Sequence, residues 1–354
     1  MKAEQIFAQA EEQLQAMCTA EAIVLFQDAE RAGYDADSCA GERWFCHMLS
    51  GNFELAWRES DAIASRGKPD PNAFWDGRPL SGRRVLLRCL HGLGDTIQFI
   101  RYAPLIRRQA RTFAIEAQPE LKRLLTESRI ADQVLTWGDP EPAWDQQIEV
   151  VELPRIFRTT LESVPAEVPY LDVPARRARN RGNAAMRIGF VWSPSNYNRS
   201  RGIPIQTFAP LFDTPGTAFF SLQAGPAASE LERWNGQIES LYDQSACIYA
   251  TAQALKTLDL VITVDTMVAH LAGGMALPVW TLLPYQCDWR WMLHRSDSPW
   301  YPTMRLFRQP RPADWPSVIQ QVDQELRQLV ASTAALPPAR RVAHCPAEAS
   351  APEP

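Results

Sequence analysis

Up to residue 67 the apolar positions recur at the three- and four-residue spacing of a helix face, with polar or small residues between them. After an opening rich in Ala, Glu and Gln, two helical segments are predicted, 40–49 and 53–65, with Ser50-Gly51-Asn52 between them. Trp44, His47 and Met48 share a face of the first, and Phe53, Ala56 and Trp57 a face of the second. The pair has the form of one tetratricopeptide-like hairpin with Gly51 in its turn. One hairpin cannot bury its apolar face alone, so it either caps the next domain or docks a protein partner.

Past the hinge Lys68-Pro69-Asp70-Pro71 the period changes. Strands are predicted at 83–90, 112–117, 133–137 and 147–151, with helices at 96–108 and 119–126. A linker over 175–181, rich in arginine, opens a second series: strands at 187–192, 218–223, 259–264 and 278–283, helices at 204–212, 248–258 and 267–275. Strands alternating with helices predict parallel sheets covered on both faces, an α/β class. Over 314–330, Trp315, Val318, Ile319, Val322, Leu326 and Leu329 form one stripe of a closing helix, with Asp314 as N-cap and Pro316 in its first turn. The expected domains are a helical segment 1–70, two Rossmann-like domains 71–175 and 176–334, and a disordered Pro/Ala-rich tail 335–354.

Composition narrows the function classes. With 354 residues, 46% of them apolar and 22% charged, the chain has room for two or three globular domains. A net charge of -5 gives no electrostatic reason to expect nucleic acid as a partner. The 7 cysteines are scattered and never form a C-x-x-C pair, which implies neither a zinc site nor a disulfide frame. No apolar run reaches the roughly 18 residues of a transmembrane segment, and MKAEQIFAQAEEQLQAM lacks the order of a signal peptide, so the expected location is cytoplasmic.

Candidate chemistry concentrates just after predicted strands, where ligands bind in open parallel sheets. His91-Gly92-Leu93-Gly94-Asp95-Thr96 carries two glycines that let backbone approach a ligand, and Asp95 at the helix start either caps the helix or acts as a base. In Val261-Ile262-Thr263-Val264-Asp265-Thr266-Met267-Val268-Ala269-His270 a buried strand runs into a helix whose start at 266–268 suits a diphosphate. There, Asp265 and His270 either face the ligand or serve as cap and core. Trp192-Ser193-Pro194-Ser195-Asn196-Tyr197-Asn198-Arg199-Ser200-Arg201-Gly202 is a polar loop with two guanidinium groups suited to phosphate. The aromatic stretches 284–291, 298–302 and 304–309 either stack on a sugar or base or pack a seam.

The strings FWDGRPLSGRRVLLRCLHGLGDTIQFIRY, VDTMVAHLAGGMALPVW, and LLPYQCDWRWM with SPWYPTMRLFRQ together resemble the heptosyltransferase-related glycosyltransferases of family 9, especially a bacterial subgroup fused to tetratricopeptide repeats. The likeness runs from about Phe74 to Leu329. It implies a GT-B fold, two Rossmann-like domains around a cleft, and an inverting, metal-independent transfer from a nucleotide sugar, possibly ADP-heptose, to a hydroxyl of a glycan, lipid-linked saccharide or protein. By the same likeness Asp95 is the general base, Asp265 and His270 contact the donor, the amides of Thr266 and Met267 hold its diphosphate, and Arg199 and Arg201, with Ser193 and Ser195 nearby, contact phosphate. Gly92, Gly94 and Gln223, at the end of the strand 218–223, complete the donor-side set. No cofactor is expected, and no acidic D-x-D cluster stands beside these motifs to hold a metal-bound diphosphate.

This chain departs from the subgroup where Leu90-His91 replaces Glu-Gln before the glycines and where Arg201-Gly202 replaces Arg-Ser. His91 is then either a second catalytic group, titrating near neutral pH, or structural. Two other readings remain: a degenerate transferase serving as a scaffold, and a nicotinamide-dependent oxidoreductase with Glu116 as ribose ligand, for which the third glycine is missing.

Overall fold

The computed structural model describes residues 2–67, 70–175, 186–194, 199–234, 238–242 and 247–335, so 336–354 of the expected tail and 176–181 of the linker lie outside the described residues. The chain divides into two compact units, and each takes pieces from different parts of the sequence.

The first unit comprises Met1–Gln118, Ile130–Pro165 and Gln286–Arg295. Four helices open it: α1 (Ala3–Gln15), α2 (Thr19–Arg31), α3 (Ala36–Leu49) and α4 (Phe53–Gly67), each packed on the next. The sequence pattern resolves only the second pair. In the opening stretch the break falls at Met17, which adopts φ 59 while Met17 N–H bonds Leu14 O and Cys18 N–H bonds Gln13 O. That closure normally uses glycine, and α3 uses it: Gly51 sits at φ 75, with Gly51 N–H on Met48 O and Asn52 N–H on His47 O. Arg43, buried between these helices, bonds Glu59 at 2.7 and 2.8 Å and Glu30 at 2.6 Å.

The α/β part follows: β1 (Arg84–Arg88), α5 (Leu93–Phe99), α6 (Ala103–Arg107), β2 (Thr112–Ala117), α7 (Lys122–Glu127), β3 (Gln133–Thr136), β4 (Gln146–Glu149) and α8 (Leu153–Ile156). The four strands form a parallel sheet in the order β3-β2-β1-β4, with Val85 opposite Phe113 on one side and Gln146 on the other. Its central strands β1 and β2 bury residues on both faces, as a covered parallel sheet requires, while the outer strands β3 and β4 are more polar. The continuous helix expected over 96–108 instead starts at Leu93 and breaks into a 3-10 turn, Ile100–Tyr102. Pro104 explains the break, because its ring supplies no N–H and crowds the carbonyl of Ile100. The segment Pro119–Arg129, with α7, groups with the second unit, where the Arg123 guanidinium lies 4.1 Å from the Tyr249 ring centre.

The second unit comprises Pro119–Arg129, Ala166–Tyr285 and Ser296–Pro354. Its later elements are β5 (Met186–Val191), α9 (Ala209–Phe212), β6 (Thr217–Ser221), β7 (Glu239–Ser240), α10 (Ile248–Leu255), β8 (Leu260–Val264), α11 (Met267–Gly274), β9 (Val279–Leu283), β10 (Met304–Arg308) and α12 (Trp315–Ala335). The sheet is parallel in the order β10-β9-β8-β5-β6-β7. Strand β10 corrects the aromatic-loop reading of 304–309: Met304–Arg308 pairs with β9 over its whole length. Its Phe307 enters a core that also holds Trp280, Phe190 and the stripe Trp315, Val318, Ile319, Val322 and Leu326 of α12. Asp314 accepts the Ser317 N–H at 3.3 Å, as the expected cap does.

Candidate functional site

In the first unit β1 ends at Arg88, and the chain turns through Cys89, Leu90 and His91 into α5. Gly92 is the N-cap, extended at φ -70 and ψ 160, so Gly94 and Asp95 sit inside the first helical turn rather than before it. Asp95 is the third helical residue, and its Oδ2 accepts the Gly92 N–H at 2.9 Å. Capping is therefore one of its roles. The turn is braced from β2: Gln118 Nε2 donates to His91 O at 2.7 Å, and Thr96 Oγ1 donates to Gln118 Oε1 at 3.0 Å. The His91 ring is exposed, with Nε2 3.8 Å from Glu149 Oε1. Burial at the end of β4 pushes the Glu149 carboxyl above the usual glutamate range.

The second oxygen of Asp95 meets a residue that sequence reasoning overlooked. Arg290 Nη2 donates to Asp95 Oδ1, Nη1 reaches both oxygens of Asp288 at 3.0 and 3.1 Å, and Nε donates to Gln98 Oε1 at 2.7 Å. The guanidinium also lies against Trp289 and Phe99, 4.8 and 5.3 Å from their ring centres. No short-range pattern could have paired positions 95 and 290. Glu116, the ribose ligand of the oxidoreductase reading, is buried and salt-bridged to Arg88.

In the second unit β5 and β8 are neighbours, Ile188 opposite Leu260, so the loops leaving their carboxyl ends emerge side by side. Trp192 N–H and Ser193 N–H both donate to Gln223 Oε1, at 3.2 and 2.9 Å, while Gln223 Nε2 donates to Ser193 O and Ala224 O, each at 2.9 Å. That uses the full bonding capacity of the amide, so Gln223 holds the loop that carries Ser193. Ser195 lies outside the described residues, as does the side chain of Arg199, which opens the 3-10 turn Arg199–Arg201. Arg201 Nη1 is 2.9 Å from Asp265 Oδ2, joining the two loops.

Asp265 is 4% exposed and directly precedes Thr266, the N-cap of α11. Thr266 Oγ1 lies 3.1 Å from Thr263 Oγ1 and makes no side-chain cap to the helix. A helix start leaves its first N–H groups without intrahelical acceptors, here at Met267 and Val268. One turn on, buried His270 bonds through Nδ1 to Tyr301 Oη at 2.9 Å, and Tyr301, fully buried, packs against Gly273. Tyr301 comes from the stretch the sequence marks only as aromatic. The second unit thus gathers Ser193, Gln223, Arg201, Asp265, Thr266, Met267 and His270, and the first gathers His91, Gly92, Gly94 and Asp95. Among the described residues no group of three or more His, Cys, Asp or Glu is placed to hold a metal ion, and no helix is long and apolar enough to cross a membrane.

No family model matches the chain. Two solved structures share its architecture. One is the glycosyl transferase family 9 protein of Veillonella parvula, TM-score 0.51 at 13% identity, covering 73% of this chain and 99% of that one. The other is E. coli ADP-heptose LPS heptosyltransferase II, TM-score 0.50 at 12% identity, covering 71% of this chain and 100% of that one. The fold is that of these family 9 glycosyltransferases. Protein FlbA of Caulobacter vibrioides is 26% identical over 302 residues, covering 74% of this chain and 49% of FlbA. The match thus spans about half the length of that curated relative.

Proposed function

We propose that the chain is an inverting, metal-independent glycosyltransferase that moves a sugar from a nucleoside-diphosphate donor of the ADP-heptose kind to a hydroxyl of a glycan, lipid-linked saccharide or protein. One observation carries the reading beyond fold: the start of α11, a guanidinium (Arg201) and a buried carboxylate (Asp265) meet where two adjacent parallel strands end. Backbone amides and the positive helix end suit a diphosphate, and Arg201 adds a fork-shaped donor. These groups supply the charge that a divalent cation supplies elsewhere.

Asp95 acts as base. A carboxylate oxygen takes the acceptor O–H proton, the acceptor oxygen attacks the anomeric carbon, and the carbon–oxygen bond to the diphosphate breaks, its electron pair leaving with the nucleoside diphosphate. Arg201 and the amides at Thr266 and Met267 stabilise that charge. A scaffold reading is favoured by one fact only, that both Asp95 oxygens already serve structure, on Gly92 and Arg290. Thermal shift against ADP, UDP, GDP and their sugars tests donor binding. At 100 times Kd a native-state ligand adds about 2.7 kcal/mol, several degrees of melting temperature. No shift with any of them refutes the transferase reading. A shift together with donor turnover that Asp95→Ala leaves intact refutes Asp95 as base, and a shift without turnover in the wild type selects the scaffold.

A further inference from the structure

We propose that Arg290 is a positioning residue for Asp95, holding the carboxylate in the one orientation that leaves a lone pair of each oxygen for the acceptor. The inference rests on the transferase reading above. Asp95 is anchored at two points, Oδ2 by the Gly92 N–H at 2.9 Å and Oδ1 by Arg290 Nη2. An ionised carboxylate has about four acceptor sites, so two anchors fix its plane and leave two sites. The side chain keeps 28% of its surface exposed, enough to meet a substrate hydroxyl.

Arg290 itself is not placed to bind substrate phosphate. Its side chain is 15% exposed, Asp288 engages Nη1 with both oxygens, Gln98 engages Nε, and two rings cover it, Trp289 and Phe99. It is a held cation whose reach towards the site passes through Asp95. The arrangement needs arginine in particular. A planar fork reaches three partners at once while stacking on aromatic faces, and an ammonium does not. Gln286–Arg295, which delivers it, groups with the first unit although β9 and β10 on either side belong to the second.

The test uses the full chain and the nucleotide sugar that gives the largest thermal shift, following donor hydrolysis between pH 5.5 and 9. Arg290→Gln is expected to lower kcat by about 100-fold, the scale of a misplaced general base. The donor KM is expected to stay within twofold. Arg290→Lys should recover part of the lost kcat with the donor KM again unchanged. If Arg290→Gln does not fold, Asp288→Asn, which loosens the hold on Nη1, is expected to lower kcat by a smaller factor with the donor KM unchanged. A variant that melts with the wild type yet keeps its kcat overturns the proposal. Absence of turnover by the wild type overturns the transferase reading instead.

Discussion

Replacing Gly273 by alanine tests how the second unit orients His270. A methyl at this position would lie 2.5 Å from Cδ1, 2.7 Å from Cγ and 3.1 Å from Cε1 of Tyr301. Carbon atoms in contact prefer about 3.5 to 4.0 Å, so the ring must move by about 1 Å. Tyr301 is fully buried and its hydroxyl is held by His270, which leaves no soft direction. Overpacking of this kind costs about 1–3 kcal/mol, and the strained His270–Tyr301 bond about 1 kcal/mol more. Alanine regains up to about 1 kcal/mol of helix propensity, for a net loss of roughly 1–3 kcal/mol. For a unit of this size that is a fall of roughly 2–12 °C in Tm, read by differential scanning fluorimetry. If His270 contacts the donor as proposed, an ADP-induced shift should shrink in parallel, because His270 turns with its partner. Tyr301→Phe removes the hydroxyl alone and should cost about 1 kcal/mol. The double variant should be less destabilised than the sum, since each change breaks the same bond. Wild-type melting and wild-type ADP binding in Gly273→Ala would refute the account.

Two further outcomes follow from the first unit. Arg43→Ala leaves Glu59 in a half-buried site without its bidentate partner and should cost about 3 kcal/mol in urea unfolding; a change below about 0.5 kcal/mol would contradict it. Glu149 has its folded-state pKa raised by burial, so its contribution is present below the ordinary value of 4.5 and is lost as pH rises through the raised one. Glu149→Gln should therefore melt above the wild type at pH 7, with the gap closing towards pH 4, and melting below the wild type at pH 7 would exclude this sign.

Much of the second unit was legible because its signals are local. A run such as Leu260–Val264 reads as a buried parallel strand by composition, and the small residues of α11 behind Thr266 read as a close-packed helix. Strand β10 was obscured by the Trp, Tyr and Pro residues before it and by its own short, irregular pattern, with Leu306 and Phe307 both buried. The break between α1 and α2 carries no glycine, and Met17 takes the left-handed conformation with nothing in the sequence to announce it. At the site the weighing of cap against base for Asp95 posed a false choice. A residue in the first helical turn can bond the N-cap amide with one oxygen and present the other elsewhere. Arg290 was invisible for a different reason, since a contact across 195 residues leaves no periodic trace.

The two units share a way of fixing a charge. Asp265, at 4% exposure, could not remain ionised alone without a large desolvation penalty, and Arg201 at 2.9 Å offsets it. Arg201 keeps 24% of its side chain exposed, so the buried partner fixes where the accessible one points. A carboxylate beside a diphosphate would repel it, so under the proposed function Asp265 would serve the donor chiefly through Arg201. In the first unit the signs are reversed: Arg290 is the more buried partner and Asp95 the more accessible one. In each pair the group suited to the proposed chemistry, a cation for phosphate or a carboxylate for a hydroxyl proton, is held by an opposite charge deeper in the protein. A flexible exposed side chain would lose rotamer freedom on meeting substrate, whereas one held in this way has lost it already, on folding.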